Sequence, residues 1–150
     1  MSDKADWVAA AGGVVGAIGG PAGLWAAWNV HRQNRRRRFG PPEELVGLLA
    51  KVLDVSSQAP FSYRRPEWFE ETGVGAALER IEELNHLVSD VLLGARLQLV
   101  VTAGRGMTTT FTYEHDSQEQ IASVVARQAR DGVDTHEHAK RALKGLRRAL

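Results

Sequence analysis

The side chains able to do chemistry are few and far apart in this 150-residue sequence. His136 and His138 stand two positions apart beside Glu137. On a helix that spacing turns the two rings about 200° from one another, so they cannot share a metal ion as residues four apart can. His115 would have to join them to build a site, and the plainer expectation is three surface histidines. The chain has no cysteine, which removes disulfides, thiolate metal ligands and a thiol nucleophile. No Ser/His/Asp set with a local signature and no recognisable carboxylate pair occurs. The sequence thus offers no catalytic, cofactor-binding or metal-binding residue, and is read as a non-enzyme that needs no cofactor and identifies no small-molecule substrate.

Three other stretches invite a chemical reading. The glycines between Trp7 and Val30 lack the Gly-x-Gly-x-x-Gly spacing of a dinucleotide loop and the Gly-Lys-Ser/Thr ending of a phosphate loop. In APFSYRRPEWFEETG (59–73), aromatics alternate with Arg64 and Arg65, as in single-strand nucleic-acid binders. Glu67, Glu70 and Glu71 would repel a phosphate backbone, so the stretch is expected to be a loop whose Phe61, Trp68 and Phe69 cap a helical core. RALKGLRRAL (141–150) resembles the His-x-Leu-Lys-Gly segment of histidine phosphotransfer domains over five positions. Arg141 stands where the phosphorylated histidine would be, which removes that chemistry.

The elements that carry these residues begin with a 24-residue run, 7–30, without a single charge. As a helix it would span roughly 36 Å, against a hydrocarbon core of about 30 Å. Trp7 marks one end and Trp25 with Trp28 the other, where amphipathic rings favour the headgroup level. Arg32, Arg35, Arg36, Arg37 and Arg38 follow it, whereas a secretion signal carries its basic residues in front. The reading is a single N-terminal transmembrane helix in the inner (cytoplasmic) membrane: residues 1–6 outside, the arginines at the lipid headgroups, the C-terminal part in the cytoplasm. Gly12, Gly16 and Gly20 recur every four residues and form a helix-packing stripe that allows close approach of a second helix. Pro21 is expected to kink the helix near 17–21.

Residues 31–42 read as a basic juxtamembrane linker, with Gly40, Pro41 and Pro42 ending one helix and opening the next. A cytoplasmic helical domain is expected over 43–150, so the fold class is all-α, a small and coiled-coil-like helical bundle. Leu45, Leu48, Leu49, Val52 and Leu53 predict a helix over about 43–57. Val74, Ala77, Ile81, Leu84, Val88, Val91 and Ala95 alternate three and four apart and predict one continuous helix with an oligomer or bundle seam. That helix is expected to run to about Thr102 with Gly104 beyond its end, in preference to a β-hairpin from LQLVVT and MTTTFTY. Ser117 with Gln120 matches a capping box for a helix to about Arg130. Asp131-Gly132 should then break it before a last helix capped at Asp134 or Thr135.

The charge of +1 conceals a segregation: net +4 over residues 1–40, −7 over 41–120 and +4 over 121–150. Lys140, Arg141, Lys144, Arg147 and Arg148 are expected to be balanced within the chain by Glu79, Glu82, Glu83 and Asp90. Arginine outnumbers lysine fifteen to four, which with the abundant alanine, glycine and valine suggests a GC-rich bacterial genome.

The functional expectation is a single-pass membrane protein whose helical domain is a scaffold or regulatory module. Its partners would be membrane lipid and either another protein or a second copy of itself. Two alternatives come from other classes. One is a small membrane-active protein, holin-like or toxin-like, on the strength of the Gly/Ala span. The other is a binder of anionic lipid or nucleic acid through the basic C-terminal helix, with nucleic acid disfavoured.

Overall fold

Tertiary packing in this chain is a ring of four helices, each meeting its neighbours through residues three and four apart. The structure, a computed structural model, describes residues 21–150. Gly12, Gly16, Gly20 and the greater part of the expected membrane span, with its kink, lie outside the described residues. The elements are α1 (Pro21–Phe39), α2 (Pro42–Gln58), a 3-10 turn (Ala59–Phe61), α3 (Pro66–Thr72), α4 (Val74–Asn85), α5 (Val91–Thr109) and α6 (Gln118–Ala149). Every described element is helical, as expected for an all-α chain. Among the described residues, no helix is long and apolar enough to cross a membrane.

The chain divides between Arg36 and Arg37 into two units. In the first, the described residues belong to α1, which buries no side chain along its whole length. Within it the Arg32 guanidinium lies 5.3 Å from the Trp28 ring centroid. Arg32, Arg35 and Arg36 are helical, and the helix runs on through Arg37 and Arg38 to Phe39, so the expected basic linker shrinks to Gly40 and Pro41. Arginine is a good helix former and nothing before Gly40 interrupts it. Gly40 has φ +67°, a left-handed conformation that a side chain rarely adopts, and Pro42 opens α2 without losing a needed N–H.

The second unit, Arg37–Leu150, holds the core. α2 packs on α4 and α6, α5 on α4 and α6, and the ring closes. Gly40 meets Leu84 and Leu87, and Arg96 meets Gly145. The start of α2, the end of α4, the start of α5 and the end of α6 therefore share one end of the bundle, and ring neighbours run antiparallel. The buried positions repeat at three and four: Leu45, Leu49, Val52 on α2; Val74, Ala77, Ile81, Leu84 on α4; Leu93, Leu97, Val100, Gly104, Met107 on α5; Gln128, Gly132, Thr135, Ala139, Ala142, Leu146 on α6. This spacing keeps one stripe of each helix facing its neighbours.

Several expected boundaries move. Of the residues drawn as a seam from Val74 to Ala95, Val74, Ala77, Ile81 and Leu84 are buried on α4. The helix then ends at Asn85, and Val91 and Ala95 are exposed while Val88 is half-buried. Long-range bonding explains the break: Ser89 N–H and Asp90 N–H both donate to the Arg38 carbonyl at 3.1 Å, and Phe39 pairs with Val88 as an isolated bridge. Asp90 then caps α5 by accepting from Leu93 N–H at 2.9 Å. That bond, with the Arg38 guanidinium at 3.1 Å, holds its carboxyl below the usual aspartate range. The seam of α5 restarts in a new register at Leu93.

Downstream, α5 continues past Thr102 to Thr109 with Gly104 buried inside it, and neither hairpin strand forms. The Ser117–Gln120 capping box is present in both directions, at 3.2 Å and 2.7 Å. The helix it opens is not broken at Asp131-Gly132 but runs 32 residues. Gly132 sits where α6 crosses Ala59 and Pro60, and Thr135 donates to the Asp131 carbonyl at 2.6 Å from within the helix instead of capping a new one. A packed surface thus holds helical a sequence that alone reads as a break.

Candidate functional site

An open cleft forms where α2 ends against α6. Pro60 halts α2, the 3-10 turn carries the chain outward, and the segment 62–65 returns toward α3. One side chain fixes that return. The buried Gln128 accepts from Arg64 N–H at 2.8 Å and donates to the Arg64 and Thr110 carbonyls at 2.9 and 3.0 Å. A single α6 residue thereby satisfies three backbone groups in two connectors, which have no ladder of their own to satisfy them. Tyr63 adds a second tie: its hydroxyl accepts from Thr112 N–H at 3.0 Å.

The result is a cleft of about 830 Å³ lined by Ser56, Ser57, Gln58, Pro60, Phe61, Arg64, Val133 and His136. Its wall is largely apolar. Phe61 is 87% exposed and Val133 49% exposed, so two large hydrophobic side chains stand open to solvent there. The Arg64 guanidinium stacks 4.5 Å from the Trp68 ring centroid, a cation–π contact that fixes its plane. Its Nε and the His136 Nδ1 are both buried without a hydrogen-bond partner among the described residues. Apolar walls with a few unsatisfied polar atoms are the usual makeup of a binding site.

The two lining serines are tied to their own helix. Ser56 and Ser57 hydroxyls donate to the Leu53 and Asp54 carbonyls at 3.2 and 2.6 Å, bonds internal to α2. Among the described residues no carboxylate lines the cleft. Among the described residues no group of three His, Cys, Asp or Glu side chains is placed to hold a metal ion. No family model, curated protein or solved structure matches this chain.

The sequence-derived sites fare unequally. Phe69 is buried and meets Trp68 edge-on at 5.0 Å, so those two cap the core as expected. Phe61 does not; it faces the cleft opening. The 59–73 stretch is also not one loop, since it folds into the 3-10 turn and α3. Gln128 gave no signal in the sequence because a lone glutamine on a polar helix reads as surface. Its position in the three-four repeat with Gly132 and Thr135 was the available clue, masked by the absence of large apolar residues.

Three of the four acidic residues expected to balance the C-terminal helix are engaged elsewhere. Asp90 pairs with Arg38, Glu83 and Glu44 pair with Arg80 at 2.9 and 2.6 Å, and Glu82 pairs with Arg105. Arg80 and Arg105 are held more firmly protonated by these carboxylates, whose hydrogen bonds favour the charged form. Among the described residues no ion pair reaches Lys140, Arg141, Lys144, Arg147 or Arg148. Glu79, Glu82 and Glu83 lie on α4, which stands diagonally across the ring from α6, so their outer faces do not meet, and Asp90 is taken by Arg38 and the Leu93 N–H.

Proposed function

We propose that this chain is a membrane-tethered interaction module: residues 7–30 anchor it, Arg32 to Arg38 hold the cytoplasmic side, and the bundle Arg37–Leu150 binds a protein partner in the cleft beside Phe61. The observation that carries this reading is the run 7–30, 24 residues without a charge and followed by five arginines. Among the described residues the buried hydrophobic side chains lie between Leu45 and Leu146, and α1 buries none. An uncharged run of that length needs an apolar environment, and a bilayer supplies it. The arginine asymmetry supplies the orientation.

Full-length protein is expected to sediment with membranes and resist alkaline extraction, while a chain starting at residue 37 stays in the supernatant after a high-salt wash. A reporter fused after Leu150 should be active only in the cytoplasm. Full-length protein that remains monodisperse in detergent-free buffer would end the membrane reading.

The cleft is tested on the same membranes. A photoreactive phenylalanine analogue at Phe61 should give one discrete protein adduct, lost when Val133→Glu puts a charge on the apolar wall. The same analogue at exposed Ile121, far along α6 from the cleft, should give none. An adduct with a second copy of this chain would make the partner itself. Equal labelling at both positions would remove the cleft from the proposal.

A further inference from the structure

The end of the bundle where the chain enters carries an unusual combination of side chains. Leu87, Val91 and Leu92, in the turn between α4 and α5 and the first residues of α5, are 60%, 86% and 59% exposed. Three large hydrophobic residues this open within six positions exceed the scattered exposure of an ordinary surface. Basic side chains stand at the same end, together with Glu43 and with Asp90, Glu44 and Glu83, whose carboxylates are paired with Arg38 and Arg80. Arg38 and Arg96 line the shallow depression that also holds Leu92 and Ala149. Arg147 and Arg148 occupy the last turn of α6 at this same end, with Lys144 one turn earlier. Of these only Arg38 has a carboxylate partner among the described residues, and its side chain remains two-thirds exposed.

We propose that this end is a second membrane contact, docking the bundle on an anionic bilayer with Leu87, Val91 and Leu92 at the headgroup boundary and the arginines on lipid phosphates. An apolar cluster beside Arg96, Lys144, Arg147 and Arg148, which have no carboxylate partner among the described residues, fits that surface, where shallow apolar insertion and charge attraction act together. Chain length argues the same way, and this point rests on the tether reading above. Only eight residues separate Val30 from Phe39. Even fully extended, that connection holds the entry end within about 30 Å of the membrane boundary. The end carrying the exposed leucines is thus the one the tether keeps near lipid.

Because Arg37–Leu150 is a compact unit of its own, the contact can be tested on residues 37–150, where the anchor is missing and its success or failure has no influence. Flotation with vesicles containing phosphatidylglycerol should carry this fragment upward at 50 mM salt, and pure phosphatidylcholine vesicles should leave it behind. Raising the salt to 300 mM should weaken the binding at least ten-fold. Arg147→Glu with Arg148→Glu should lower it by about five-fold or more per residue. Leu87→Ser, Val91→Ser and Leu92→Ser together should lower it about ten-fold while leaving the helical melting curve in place, since these side chains are outside the core. Three results would overturn the proposal: no flotation on anionic vesicles at 50 mM salt, binding indifferent to both sets of substitutions, or a soluble dimer that the serine variant dissociates. The last would make the patch a contact between copies of the chain.

Discussion

Gln128→Leu is expected to lower the unfolding free energy of the bundle by about 3 kcal/mol. The side chain is buried and makes three hydrogen bonds to backbone groups of two connectors. Leucine matches its volume and keeps the helix propensity, so packing changes little. What is lost is the partner of Arg64 N–H, Arg64 C=O and Thr110 C=O, and each such group left unsatisfied costs about 1–3 kcal/mol. Partial hydration of the segment 62–65 at the surface offsets some of this, which is why the lower part of the range applies. A shift of the urea midpoint with an unchanged slope gives the number. The Arg64 amide should also exchange with solvent faster than any amide of α2, because the tie that closes it is gone. A midpoint within about 0.5 kcal/mol of the parent would mean the connectors are held by Tyr63 and apolar contacts instead.

The second large effect is at Gly104, where α5 crosses α4. A Cβ there would lie 2.6 and 2.8 Å from the two methyl carbons of Leu78, which is itself fully buried. Gly104→Ala recovers up to about 1 kcal/mol of helix propensity and forces a displacement whose cost is about 1–3 kcal/mol. Gly104→Val adds two further carbons to the same space and should cost about 3 kcal/mol or more. Leu78→Ala alone leaves a cavity and should cost about 2–5 kcal/mol. The pair Gly104→Ala with Leu78→Ala is the informative measurement, since the new methyl occupies space the leucine has vacated. Chemical unfolding of the four proteins in the cycle should show the double variant more stable than additivity by at least about 1 kcal/mol. Strict additivity would mean that α4 and α5 separate freely and that the close crossing contributes little.

Both sites illustrate where local sequence is informative and where it is not. Helix starts were legible because their causes are local. Pro42 sets its own φ, Gly40 alone tolerates φ +67°, and Ser117 and Gln120 satisfy one another's backbone N–H groups three residues away. The 43–57 helix was legible for a related reason: its apolar stripe is made of large residues, and the observed Pro42–Gln58 differs by one residue at each end. Charge segregation could also be read directly, although not its pairing, which depends on which helices are neighbours in the ring.

Helix ends and continuations were decided by the tertiary structure. The heptad pattern ran on through Val91 and Ala95, yet the chain turns at His86–Asp90 because Ser89 and Asp90 find the Arg38 carbonyl about 50 positions away. Gly104 and Asp131-Gly132 are weak helix formers and read as stops. They stay helical because a neighbouring helix or turn packs closely there, too closely at Gly104 for a side chain to enter without displacing Leu78, and the packing gained across each crossing exceeds the roughly 1 kcal/mol that each glycine costs. The cleft, its unpartnered Arg64 Nε and His136 Nδ1, and the outward Phe61 belong to the same class. The sequence by itself determines what each segment can become when isolated. Close approach and satisfaction of a backbone group by a distant side chain depend on pairs of residues far apart in the chain, and so were settled only when the four helices met.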